Sequence, residues 1–413
     1  MSFFEGGSME PEEQAVPRKH GPASEDSRGS GPLEPLAPRL DFWEMRGVDW
    51  MLNGPHGLRA GWSLAIFLVL FRLFSVIVGT IAVGLYPALA QFNFSPATTL
   101  VAELVPFLAM LGAAAMVGVF EHRGIAEFNL TGPRRPMNFF FGAALGFLAL
   151  SLLVAALALG GWLHFGPVAL SGAAVARFGA LWGCAFLVVG CVEEGIFRCF
   201  LQFTLTRSIN FWWALGIVGV LCADLLLRSR GHVGLVAFFW MTPLSAVTGN
   251  GLWGVFIAAL LGLVPCLVLH LKDKAHGGFW QAAWVTSTLF GFIHTGNNGE
   301  NWIGIFAAAA VGFVFCVSIW VTGSAWWAIG CHAGWDWAET YFYGTADSGL
   351  KAQGHYLTTS PAGKALWSGG TDGPEGSLLV LGAILLLLVA LLAIYGRKRA
   401  TACTDAAMEQ LSA

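Results

Sequence analysis

Apolar runs of about 20 residues recur along almost the whole chain, each long enough to cross a hydrocarbon core ~30 Å thick. Short stretches of Gly, Pro, Asn and charged residues separate them. Only 11% of the residues are charged and 56% are hydrophobic, whereas a soluble domain carries about a quarter charged residues. The chain therefore reads as an all-α, polytopic membrane helical bundle of about ten transmembrane helices. The spans are expected near 60–88, 98–120, 139–164, 178–204, 211–227, 251–271, 277–295, 301–322, 324–343 and 376–396.

Arg134 with Arg135, Arg207, Lys272 with Lys274, and the Arg397-Lys398-Arg399 run share one side if both termini are cytoplasmic. Arg228 and Arg230 break that pattern, and residues 232–248 could be re-entrant or a further span. Residues 1–41 are rich in Pro, Gly, Ser and Glu with no apolar period, so they read as a disordered cytoplasmic tail without a signal-peptide pattern. Phe42, Trp43, Arg46, Trp50 and Met51 recur at near-helical spacing, which suggests either an interfacial helix over 42–59 or a simple loop. N-terminal transmembrane helices fill 60–174. The Gly-rich stretch 346–374 reads as an extramembrane loop, 375–399 as the last span, and 400–413 as a C-terminal tail.

Glu193, Glu194 and Arg198 lie inside one of the apolar runs. Each charge near the centre of a spanning helix costs roughly 2.5–3.5 kcal/mol on insertion scales, so such groups persist for chemistry, transport or a buried pair. Helix geometry sorts them: Arg198 is i+4 from Glu194 and i+5 from Glu193, so the internal ion pair is Glu194 with Arg198. Glu193 is left to act as a general base on water.

Two further polar pairs follow, Phe290 with His294 and His332 with Asp336, each at i and i+4 on one helix face. At ~1.5 Å per residue, Glu193 and His294 both sit ~20 Å deep, and His332 ~12 Å deep, close enough to share a pocket once helices tilt. His294 could hold the water that Glu193 activates. His332 could donate to the oxyanion of amide hydrolysis, with Asp336 first orienting its imidazole and secondarily acting on the oxyanion itself.

Taken together, Glu-Glu-x-x-x-Arg at 193–198, Phe-x-x-x-His at 290–294 and His-x-x-x-Asp at 332–336 resemble the CPBP family. That family, also called Abi, groups type II CAAX prenyl endopeptidases with bacteriocin-processing and self-immunity proteins. The resemblance covers roughly 175–345 and implies an intramembrane endopeptidase, a peptide hydrolase. It implies that Glu193 and His294 activate water, His332 and Asp336 form the oxyanion site, and Glu194 with Arg198 support the pocket. Asp336 stands where the prenyl-protein members have Asn, so a neutral amide donor does not carry over. About 80 residues separate the arginine and first histidine motifs, longer than the family commonly shows, and this marks an insertion at about 211–275.

One carboxylate and two histidines, Glu193, His294 and His332, could hold zinc with an open position for water. The His-Glu-x-x-His motif that would make this specific is absent, and the favoured scheme requires no metal or other cofactor. Of the eight cysteines, all but Cys403 lie in or beside spans and none forms a Cys-x-x-Cys pair, which argues against disulfides and a thiolate metal site. Arg72, Glu103 and Asp224 read as intramembrane charges that seal against backbone, water or one another, with a substrate contact as the alternative. The modest net charge of −3 and the lack of a basic strip give no sign of nucleic acid. The expected setting is a bacterial cytoplasmic membrane and the expected partners are lipid and a peptide or protein substrate. A non-catalytic immunity or scaffold protein of the same fold is the alternative reading, and a transporter the next.

Overall fold

The computed structural model describes residues 47–54, 57–91, 93–232, 251–274, 276–297 and 299–396. The tails over 1–41 and 400–413, and the re-entrant or spanning segment considered over 232–248, fall outside these apart from His232. A short α1, Gly47–Leu52, precedes a two-residue hairpin pairing Asn53–Gly54 with Gly57–Leu58, so the described part of 42–59 is a single helical turn and a half, not a continuous interfacial helix. The bundle follows as α2 (Ala60–Leu85), α3 (Pro96–Glu121), α4 (Arg135–Leu159) and α5 (Ala173–Glu194), which runs through a π-helical turn at Gly195–Leu201 into α6 (Gln202–Thr206). Next come α7 (Phe211–Ser229), α8 (Gly251–Leu271), α9 (Gly277–His294), α10 (Trp302–Thr322) and α11 (Trp326–Asp336), which continues as a π-helix over Trp337–Tyr343. A short α12 (Ala365–Ser368) and α13 (Val380–Leu391), extended by a π turn to Gly396, close the chain.

In hydrocarbon no water satisfies backbone N–H and C=O groups, so apolar segments of this length must satisfy them internally as helices. Side chains set the ends. Asn210 and Asn301 accept from backbone amides of Trp213 (3.0 Å) and Ile303 (2.8 Å) to start α7 and α10. Gly323, at φ +79°, stops α10 in the left-handed conformation that glycine adopts without strain.

The protein is an all-α polytopic membrane bundle, and the count of ten spans is not reached by length and hydropathy among the described residues. Among the described residues, seven helices are long and apolar enough to cross a bilayer: α2, α3, α4, the α5–α6 rod, α7, α8 and α10. The other three expected spans exist as helices, with α9 and α11 diluted by polar residues and the last, Val380–Gly396, falling short. The physical reason is position. α9 buries Gln281, Thr286, Ser287 and Thr288 against neighbouring helices and does not present a uniformly apolar surface to lipid.

Two faces of the bundle are well defined. On one, Ser63 at the start of α2 bonds Glu121 at the end of α3 (2.5 Å), Arg207 after α6 bonds the same carboxylate (2.8 Å), and Tyr395 reaches Asn138 at the start of α4 (3.2 Å). Arg59, Arg123, Arg134, Arg135, Lys272 and Lys274 share this face, and from Gly396 the sequence continues into Arg397-Lys398-Arg399. On the other face, Leu163–Phe165 pairs with Thr359–Pro361, Gln353 N–H donates to Phe94 O (2.9 Å), and Asn301 N–H donates to Asp372 (3.1 Å). Arg228 near the end of α7 meets Thr295 (3.4 Å), and Gly254 near the start of α8 packs on the Trp302 carbonyl. Both described ends flanking 233–250 therefore lie on this second face.

Helices α4 and α11 approach backbone to backbone. A Cβ at Gly142 or Gly146 would collide with the carbonyl oxygens of Trp327 and Cys331, and one at Gly330 or Gly334 with those of Phe139 and Ala143. Two small-xxx-small rows thus face each other, the arrangement by which membrane helices approach closely when no hydrophobic effect drives them together. Gly146→Leu should lower the stability of the purified protein by about 2 kcal/mol or more through overpacking, read as a fall in the midpoint of thermal unfolding in detergent. An unchanged midpoint would show that this crossing does not hold the bundle together.

Candidate active site

Glu193 and Glu194 are the last two residues of α5 before the π turn. A π turn widens the helix by one residue and leaves part of its ladder unpaired, and such turns often mark functional sites. Here the carbonyl of Arg198, inside the turn, accepts a hydrogen bond from Asn129 Nδ2 at 2.7 Å. Both Glu194 and Arg198 are wholly buried, and Arg198 Nε lies 3.1 Å from Glu194 Oε2. The i,i+4 pair expected from the sequence is present.

Aromatic faces complete the guanidinium's seat. Arg198 lies 4.2 Å from the centroid of Phe290 and 5.4 Å from that of Phe315, and a Cβ at Gly312 would collide with its Nη2. The ring quadrupole attracts a desolvated cation. The Phe of the Phe-x-x-x-His pair therefore sits under the arginine, a role that spacing alone did not reveal.

His332 departs from expectation in its partner. Its Nδ1 is 2.9 Å from Glu194 Oε1, whereas Asp336 Oδ2 lies 3.5 Å and Glu193 Oε2 3.7 Å from its Nε2. Glu194, paired with Arg198, is an acceptor, so Nδ1 carries the hydrogen and Glu194 orients the ring. Asp336 sits beside the opposite nitrogen instead. The inversion arises because Glu194 approaches from α5 across the helix interface, a contact no spacing within α11 encodes.

His294, at the end of α9, donates from Nδ1 to the Phe290 carbonyl at 2.7 Å. A carbonyl can only accept, so in the neutral ring Nε2 is left as the acceptor. Glu193, His294, His332 and Asp336 all line one cavity of about 270 Å³. At about 30 Å³ per water molecule this space holds several waters. Glu194 and Arg198 stand behind its wall.

The same cavity is lined by residues not assigned to the site from sequence: Glu103 of α3, Glu300, Asp347, Glu375 and Trp335. Trp335 Nε1 donates to Glu339 (3.0 Å) and Glu375 (2.8 Å), tying α11 to the turn before α13. Glu339, four residues after Trp335, had a local signal. Asp347 and Glu375 had none, because they arrive from loops. Burial pushes the Asp347 carboxyl up to about 6 and, together with the charge of Glu300, that of Asp372 up to about 8. Of the other intramembrane charges, Asp224 pairs with Arg228 at 3.8 Å and Arg72 is exposed on α2.

The donor set Glu193, His294 and His332 does not converge. Among the described residues, the group whose ligand atoms all lie within 4.8 Å of one another is Glu339, Asp347 and Glu375. Those are hard oxygen donors, suited to a magnesium- or calcium-like cation and poorly suited to zinc. His332 also has Nδ1 committed to Glu194, so the zinc option gains no support from this geometry.

Residues 266–338 match the family described as type II CAAX prenyl endopeptidase Rce1-like. The match takes in His294, His332 and Asp336 and begins after the glutamate and arginine motif. No curated protein and no solved structure matches the chain.

Removing one partner of a buried ion pair leaves the other charge uncompensated, at a cost of about 3–5 kcal/mol. Arg198→Gln should therefore lower the unfolding midpoint strongly, while the same change at exposed Arg72 should leave it near wild type. Comparable small shifts in both, measured in one detergent, would show that the Glu194–Arg198 pair does not support this region.

Proposed function

We propose that this chain, a member of the CPBP family of CAAX-type proteases, is an intramembrane endopeptidase that hydrolyses a peptide bond with water activated by glutamate and histidine. The observation that carries this reading is the meeting of Glu193, His294, His332 and Asp336, drawn from three helices far apart in sequence, around one cavity inside the bundle. Ionisable groups at such depth are costly, and their convergence on a water-sized space is what hydrolysis requires.

Glu193 takes a proton from water, which His294 holds through Nε2, and the resulting hydroxide attacks the carbonyl carbon. His332, as the imidazolium with its Nδ1–H held by Glu194, offers its Nε2–H to the developing oxyanion. Asp336, on the same side as Nε2, favours the charged form of the imidazole and so strengthens that donor. Collapse of the tetrahedral intermediate breaks the C–N bond, and the proton held by Glu193 passes to the leaving amine. Each proton and each bond is accounted for without a metal.

Glu193→Gln keeps the shape and removes the base. Its turnover should fall about 10²–10⁴-fold, the usual worth of general acid–base catalysis, with the unfolding midpoint retained. Peptides released from membranes holding wild type or the variant, compared by mass spectrometry, test this. Indistinguishable products from a folded variant would sink the mechanism.

A further inference from the structure

α3 and the α5–α6 rod run side by side in the same direction and are pinned at both ends. At one end the ring of Phe94, just before α3, meets that of Trp182 on α5 at a centroid separation of 5.0 Å. At the other, the Glu121 carboxylate that ends α3 accepts from Arg207 after α6 at 2.8 Å. Glu103 lies nine residues past Phe94 and Glu193 eleven past Trp182, while from the other pin they lie eighteen before Glu121 and fourteen before Arg207. At ~1.5 Å per residue, both counts put the two glutamates within about 3–6 Å of the same level along the rods.

Both also face the cavity at that level. Thr99, one turn before Glu103, lines it together with Glu103, Val189 and Glu193, whereas Leu104 and Leu108 belong to an exposed side of α3. The charges of Glu103 and Glu193 act on one another across this space.

Partners separate the two. Of the other carboxyls on the lining, Asp336 has His332, Asp347 has Thr340, Glu300 has Asn297 and Glu375 has Trp335. Glu193 has His332 Nε2 at 3.7 Å. Glu103 makes no hydrogen bond and no ion pair among the described residues. A carboxyl inside a spanning helix is costly, and no contact within the bundle offsets this one. Two carboxyls facing one small, partly desolvated space do not both ionise, so one keeps a proton. The imidazolium of His332 beside Glu193 leaves that proton to Glu103.

Hydrolysis of an amide has a place for such a group. The nitrogen must gain a proton as the C–N bond breaks, because an amide anion is far too basic to be expelled. Glu193 and His294 are engaged with the water, and His332 with the oxyanion. We propose that Glu103 is the acid that protonates the leaving amine. This assignment rests on the endopeptidase reading above and adds a catalytic residue to it.

As the tetrahedral intermediate collapses, the C–N bond breaks, the C=O bond re-forms and the carboxyl proton of Glu103 moves to the nitrogen. The Glu103 carboxylate then takes up the proton that Glu193 removed from water. Glu103 ends neutral and Glu193 charged, as they began, and the proton held by Glu193 reaches the amine through Glu103.

The test uses the full chain in nanodiscs. A peptide cut by wild type is found in a randomised library by mass spectrometry, and a matched thioester is made at the cleaved bond. A thiolate leaves without a proton, so the thioester bypasses the acid and still needs the base. Glu103→Gln should lower kcat for the peptide by about 10²-fold or more and for the thioester by less than about threefold, with KM and the unfolding midpoint near wild type. Glu103→Asp, which keeps the carboxyl, should recover at least about tenfold of the lost peptide rate. Glu193→Gln should lose both substrates alike.

Equal losses on peptide and thioester in Glu103→Gln, or no loss on either, overturn the assignment, and the endopeptidase reading survives if Glu193→Gln still loses both. Should Glu103→Gln not fold, Glu103→Asp decides: peptide turnover reduced more than thioester turnover keeps the assignment, and any other pattern overturns it. A wild type that cuts no peptide in the library overturns the endopeptidase reading itself.

Discussion

A single buried carboxylate, Glu194, holds the site together. One oxygen faces Arg198 Nε at 3.1 Å and the other receives Nδ1 of His332 at 2.9 Å. Desolvation makes an isolated buried charge untenable, so the position of each neighbour is set by the need to satisfy this one. The aromatic seat of Arg198, the space left by Gly312 and the bond from Asn129 to the π turn all follow from keeping that guanidinium in place. The imidazole of His332 is in turn presented to the cavity with Nε2 outward.

Close helix approach is the second condition. α11 carries His332 and Asp336, and its glycine row packs on the glycine row of α4 with backbone against backbone. Gly190 of α5 similarly lies against the backbone of α11, where a Cβ would come within 3.2 Å of Ile329 O. These contacts set how near Glu194 can come to His332. Stability of the bundle and geometry of the site thus share the same interfaces, which is why a change far from the reacting groups can move them.

Much of the architecture was legible locally. The spacing of apolar runs reported helices because lipid offers the backbone no other partner, and the Glu194–Arg198 pair followed from i,i+4 geometry within one rod. Seven of the ten expected spans meet the length and hydropathy of a crossing helix among the described residues, because hydropathy along the chain does not reveal which helices are enclosed by others. α9 and α11 take polar residues that a lipid-facing helix would exclude. The Gly142/Gly146 and Gly330/Gly334 rows carried a readable signal for close packing that the apolar pattern alone obscured.

By itself the sequence determined a polytopic helical bundle and the motifs whose residues line or back the cavity, because helix formation, membrane burial and i,i+4 neighbours depend on residues near one another in the chain. Only the tertiary structure decided that Glu194 and not Asp336 orients His332, and that Phe290 seats Arg198. It alone brought Asp347, Glu300 and Glu375 from separate loops to one acid-lined wall. Each of these depends on the distance between groups on different helices and loops, which is fixed by packing across interfaces and has no counterpart in local spacing.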